Sequence, residues 1–159
     1  MNDKKVYIAI GAPASGKSTW WDIAWKNGHL SPKQFARINF EKIRLDLLGN
    51  EEDYSSEKAV EHIALVNYKQ ALSNRIKNIY WDHTSHTLKE RRILISYAKK
   101  AGYKVYAIWF NIPLTSCLER NLKRERVTDI KQLNFIYNHI LKNPPDLDEG
   151  FDDIIMIEE

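Results

Sequence analysis

The chain carries one cysteine, Cys117, which excludes an intramolecular disulfide and a cysteine-built metal cluster. A small apolar side chain buried in a helix is the reading that suits it. Proline and glycine are sparse, at five and six residues, and no low-complexity tract or internal repeat is present. Long apolar runs are also missing. The run after Lys5 is too short to span a membrane and lacks a signal-peptide layout, so a cytoplasmic protein with no membrane partner is expected. Charge of either sign is nearly balanced, with a formal net charge of +3. That excess suits a polyanionic partner without requiring one.

What is present reads as a soluble globular chain, 43% hydrophobic and 28% charged over 159 residues. That length suits one domain, 1–159, with one core. A β-rich run at Lys4–Ile10 predicts a buried strand, and a helix over Ser18–Lys26 follows, with Gly28 as its cap and a break at Ser31-Pro32. Phe35–Asn39 reads as a second strand and Glu41–Leu48 as a helix ending at Gly49. Ser55-Ser56-Glu57-Lys58 offers an N-cap to a long helix reaching about Lys77. Asn78–Asp82 is a third strand, and a helix from Lys89 to Ala101 stops at Gly102. Tyr103–Phe110 is the clearest strand. Helices from Pro113 to Lys123 and from Ile130 to Lys142 follow, then a short strand at Ile154–Ile157. Strands alternating with helices predict an α/β fold, with helices on both faces of a parallel sheet.

One motif carries chemistry by itself. Gly11-Ala12-Pro13-Ala14-Ser15-Gly16-Lys17-Ser18-Thr19 meets the spacing G-x-x-x-x-G-K-S/T, between a strand and a helix. The glycines let backbone N–H groups turn inward around phosphate oxygens, and the helix start adds its positive dipole end. Lys17 supplies a point charge for the outer phosphates, and Ser18 a hydroxyl for Mg²⁺. Thr19 either contacts phosphate or starts the helix. ATP or another nucleoside triphosphate with Mg²⁺ is therefore the expected cofactor set.

The acceptor side must come from other loops at the carboxyl edge of the sheet. Glu41 is a candidate general base, with Arg44 on the same helical face three residues on. An ordinary surface ion pair would give the same spacing. Asp82, at a strand end, is either a metal- or acceptor-orienting carboxylate or a turn acid. His83 and His86 lack a third ligand, which argues against a metal centre. Arg120, Arg124 and Arg126 are either a solvated face or a mobile lid over the phosphates, with Arg120 and Arg124 spaced to share a helical face. Trp20, Trp21 and Trp25 on the first helix suit packing more than stacking on a base.

Taken in order, these segments resemble the 5′-polynucleotide kinase branch of the P-loop kinases, over nearly the whole chain. Gly11–Thr19 with Trp20 is similar to that family's phosphate loop. Asn39-x-Glu41-x-Ile43-Arg44 resembles its S/N-x-D-x-x-R acceptor motif, and Asp82-His83-Thr84-Ser85 with Glu90-Arg91-Arg92 its D-x-T-N…R-R segment. Glu119-Arg120-Asn121…Arg124-x-Arg126 resembles its lid, and Glu149-Gly150-Phe151-Asp152 its E-G-F-D ending.

The resemblance implies a three-layer P-loop kinase fold with an arginine-bearing helical lid at about 119–130. It implies transfer of the ATP γ-phosphate to 5′-hydroxyl ends of DNA or RNA. Glu41 would be the base, Arg44 would hold an acceptor phosphate and Asp82 would support the acceptor. Arg124 would act on the donor phosphates, with Arg120 or Arg126 assisting. Two departures stand out: Glu41 replaces an aspartate, and Ser85 replaces an asparagine. The extra methylene shifts the carboxylate on the ~1 Å scale, where misplacement can cost ~10²-fold in rate. A small-molecule kinase and a non-catalytic nucleotide-binding module are the alternatives on the same scaffold.

Overall fold

The computed structural model describes residues 3–28 and 34–159, with 25–28 described as helix backbone only. Five strands form one sheet: β1 (Lys5–Ile10), β2 (Phe35–Asn39), β3 (Asn78–Asp82), β4 (Lys104–Phe110) and β5 (Asp153–Ile157). Their order is β2-β3-β1-β4-β5, and every pairing is parallel. Six helices connect them: α1 (Lys17–Gly28), α2 (Phe40–Leu48), α3 (Glu57–Ser73), α4 (Leu88–Lys100), α5 (Leu114–Leu122) and α6 (Ile130–Lys142). Parallel strands need such crossovers, and these bury the sheet on both faces. No helix among the described residues is long and apolar enough to cross a membrane.

Strand periodicity divides the core into two. Val6, Ile8 and Ile10 of β1 face one layer with Ile38, Val60, Tyr68, Leu94 and Val105. Ala9 faces the other, with Tyr80, Ile108, Phe110, Cys117 and Leu133. Trp20 and Trp21 pack against that second layer, on Tyr80 at ring-centroid distances of 5.1 and 5.6 Å. The predicted packing role of these two tryptophans and the buried position of Cys117 therefore hold. The side chain of Trp25 and the predicted break at Ser31-Pro32 lie outside the described residues.

One helix end, one cap and the lid segment differ from expectation. α3 stops at Ser73, four residues short of Lys77, because Arg75 takes a left-handed φ of 58°. Its N–H reaches Leu72 O at 3.1 Å and that of Ile76 reaches Ala71 O at 3.1 Å, a Schellman closure. Ser56 precedes α3, but its side chain makes no capping bond. α5 ends at Leu122, so Arg124 and Arg126 lie in an irregular loop, 123–129, and Arg124 does not share a helical face with Arg120. The lid segment is a loop because buried Asn121 turns back onto it. Asn121 Nδ2 donates to Thr128 O at 2.8 Å, and Thr128 N donates to Asn121 Oδ1 at 2.9 Å.

Candidate functional site

β1 ends at Ile10, and the chain turns through Gly11–Gly16 before α1 begins at Lys17. Ala14 (φ 64°) and Gly16 (φ 107°) bracket Ser15 with positive φ, the alternation that turns successive N–H groups toward one point. Gly11 is sterically required. A Cβ there would lie 2.5 Å from Ser15 Oγ and 2.9 Å from Phe110 Cβ. Lys17 Nζ donates to Gly11 O at 3.1 Å and Ala12 O at 2.7 Å, so it arches back over the loop. Burial pushes its pKa down from 10.5 to about 8. Asp82 opposes that shift and the Arg124 charge adds to it. Ser15 Oγ is buried and finds no hydrogen-bond partner among the described residues. A desolvated ammonium resting on loop carbonyls suits a bound phosphate chain, which supplies a counter-charge.

The loop opens on a cleft of about 1010 Å³. Pro13 to Thr19 line it, as do Glu41, Arg44, Asp82, Arg120 and Arg124. Residues far apart in sequence thus share one cavity at the carboxyl edge of the sheet. Gly11 and Ala12 are buried beneath the loop and do not line it. Ser18 and Thr19 are exposed on its floor. Arg126 is drawn aside to Glu41 and Glu51.

Each ionisable group has a particular partner. Glu41, in the first turn of α2, lies 3.6 Å from Arg124 and 3.7 Å from Arg126. It therefore faces the lid arginines and does not form the surface pair with Arg44 that helical spacing allowed. Arg44 is buried and spends its guanidinium on Glu57, with Nε and Nη2 donating at 2.6 and 3.0 Å. The expected phosphate contact of Arg44 is thus occupied by an internal carboxylate. Asp82 is no turn acid. Arg37 Nε and Nη2 donate to its Oδ2 at 2.9 and 2.6 Å, and Asn39 Nδ2 does so at 3.2 Å. Arg120 pairs with Glu159 at 3.2 Å.

The flanking motifs divide into site and scaffold. His83 Nδ1 lies 3.0 Å from Glu90, and His86 Nδ1 lies 2.9 Å from Thr84 Oγ1. No cluster of three metal-ligating side chains occurs among the described residues. Fully buried Arg91 donates to Asn143 O at 2.7 Å and lies 3.3 Å from Glu149, tying α4 to the turn before β5. Asp152 accepts from Val105 N at 2.7 Å, and Phe151 is buried in the core. The Glu149–Asp152 motif therefore builds the fold.

Sequence reasoning missed Arg37 and Glu57. Asn39 pairs with Asp82 in the β2–β3 register, and Arg37 lies two residues before it on the same strand face. That relation becomes readable only when the register is known.

A family model described as an AAA domain matches residues 6–135. Among solved structures, a chain of the Pnkp1/Rnl/Hen1 RNA repair complex superposes with a TM-score of 0.74 at 19% identity, over 92% of this chain and 47% of that one. This chain thus spans under half the length of that relative. A chain from the PezAT toxin–antitoxin system of Streptococcus pneumoniae gives a TM-score of 0.70 at 16% identity, covering 99% and 68%. Chaetomium thermophilum Kti12 in complex with ADP-AlF3 gives 0.66 at 18% identity, covering 96% and 88%. These likenesses show a shared P-loop kinase-like fold, and the match over most of its length shows that the chain belongs to the AAA domain family.

Proposed function

We propose that this chain is a phosphotransferase that moves the γ-phosphate of ATP to a 5′-hydroxyl end of a nucleic acid. The observation that carries the reading is Glu41, a carboxylate on the same cleft as the phosphate loop, bridged by Arg124 at 3.6 Å. Motif order along the chain supports it, and so does the fold shared with chains of an RNA repair complex. The ADP-AlF3 held by Kti12 on that fold supports ATP as the donor.

The loop N–H groups and Lys17 would hold the phosphates, as the positive φ of Ala14 and Gly16 and the desolvated ammonium suit. Mg²⁺ would be held by Ser18 together with the phosphates, and when bound it supplies positive charge at the β- and γ-oxygens. In-line attack forms a bond between the acceptor oxygen and the γ-phosphorus while the bond to the β-γ bridging oxygen breaks. ADP leaves, and the acceptor proton passes to Glu41. Arg124 would leave Glu41 for the transferring phosphoryl group, where its charge counts in the transition state.

A second reading has its own observation. Arg44 is already neutralised by Glu57, and Glu61 lines the same wall. That wall favours a small hydroxyl compound with no phosphate at the Arg44 position. γ-labelled ATP offered with 5′-hydroxyl oligonucleotides and, separately, with nucleosides and sugars divides the two. End-labelling that disappears in Glu41→Ala supports the first. Label found only on small acceptors transfers the assignment to the second, and nucleotide binding without transfer to anything removes both.

A further inference from the structure

We infer that Arg37 is a positioning residue for phosphoryl transfer, acting through Asp82. The inference rests on the phosphotransferase reading above, but not on which acceptor is used. Three hydrogen bonds from described residues reach Asp82, and all go to Oδ2: two from Arg37 at 2.9 and 2.6 Å and one from Asn39 at 3.2 Å. Its other oxygen takes none of them, and the residue lines the cleft. An Asp with both oxygens solvated would rotate between equivalent poses. Here Oδ2 is anchored, which fixes the pose of the whole carboxylate at the cleft. Asp82 is also the foremost acidic influence on Lys17, which places its charge at the donor end of the cleft.

The anchor is itself rigid. The Asp82 side chain is 5% exposed and that of Arg37 only 24%. The Arg37 guanidinium lies 5.4 Å from the Trp21 ring on α1, a cation–π contact that limits its rotation. Asn39 links the anchor to the acceptor side. Its Nδ2 donates to Asp82, while its Oδ1 accepts from Lys42 N at 3.1 Å and caps α2, the helix that carries Glu41. One hydrogen-bonded path thus runs from β2 through Asp82 to the start of α2. Removing Arg37 leaves a nearly buried carboxylate with one weak partner, free to turn toward Lys17 or the entering phosphates.

The test uses the intact chain with Mg·ATP as the probe. Phosphate release to water and label transfer to a 5′-hydroxyl oligonucleotide are read alongside binding of a fluorescent ATP analogue and the melting temperature. Arg37→Met keeps the stem against Trp21 and removes the fork. The expected result is a kcat lower by about 10- to 100-fold, as for loss of an outer-shell partner, with nucleotide Kd changed less than about threefold. Arg37→Lys restores part of kcat. In an Asp82→Asn background, Arg37→Met has little further effect, because Arg37 acts through that carboxylate. A folded Arg37→Met protein with wild-type kcat overturns the inference. So do losses from Arg37→Met and Asp82→Asn that multiply. Wild-type protein that binds no nucleotide and releases no phosphate overturns the phosphotransferase reading, and this inference with it.

Discussion

Lys17 has no carboxylate within salt-bridge reach among the described residues, and its ammonium rests on two loop carbonyls. Burial holds its pKa at about 8, so near that pH half of the molecules carry an uncharged amine. A phosphate chain favours the charged form, so nucleotide binding draws a proton onto Lys17. The sign follows from linkage. Binding needs the ammonium, so affinity is flat well below pH 8 and falls about tenfold per pH unit above it. In the free protein the same depressed pKa destabilises the fold below about pH 8 and relaxes toward pH 10.5. Calorimetry at pH 8 in two buffers of different ionisation enthalpy should report proton uptake on ATP binding. Equal heats in both buffers would refute it. The phosphate loop was legible because its chemistry is contiguous in sequence. Arg37 and Glu57 were not, since their partners Asp82 and Arg44 lie 45 and 13 residues away. Spacing on one helix paired Glu41 with Arg44, whereas tertiary contacts gave each a different and better-matched partner.

At the scale of elements, most boundaries followed from local chemistry. α6 begins and ends where its periodicity does, and α2 stops at Gly49 as its sequence suggested. The 119–130 segment did not follow that rule. Spacing by four put Arg124 on one helical face with Arg120, but Asn121 accepts from and donates to the backbone of Thr128, diverting the chain after Leu122. A side chain competing for backbone groups in this way shows in the sequence only as an ordinary asparagine. Asn121 is therefore the hinge clamp of the arginine loop. Asn121→Ala would leave two Thr128 backbone groups without their partner and loosen 123–129, a local cost of about 1–3 kcal/mol. Faster amide exchange in that loop is expected, with a several-fold higher KM for ATP and unchanged exchange in β1 and β4. Exchange in 123–129 matching wild type would show that the loop is held by something else.

Across the whole molecule, opposite charges meet at the rim of the cleft. The loop after α5 contributes Arg124 and Arg126, and the segment around α2 contributes Glu41 and Glu51. In the proposed reaction Arg124 would leave Glu41 for the triphosphate, so donor binding would compete with this contact. The pair is partly exposed, with side chains 33% and 41% accessible, so the competition is modest: about 0.2–1 kcal/mol for such an ion pair. Glu41→Gln removes the competitor and keeps the shape. It should tighten ATP binding by about 1.4- to fivefold, the equivalent of that energy. In the proposed reaction the same substitution removes the proton acceptor, so transfer to the hydroxyl should fall by at least ~10²-fold. Affinity and turnover thus move in opposite directions in one variant, an outcome that neither a purely structural Glu41 nor a simple binding residue produces. Nucleotide titration and single-turnover transfer on the same preparation would measure both. If ATP binding weakens in Glu41→Gln, the Glu41–Arg124 contact does not compete with the donor.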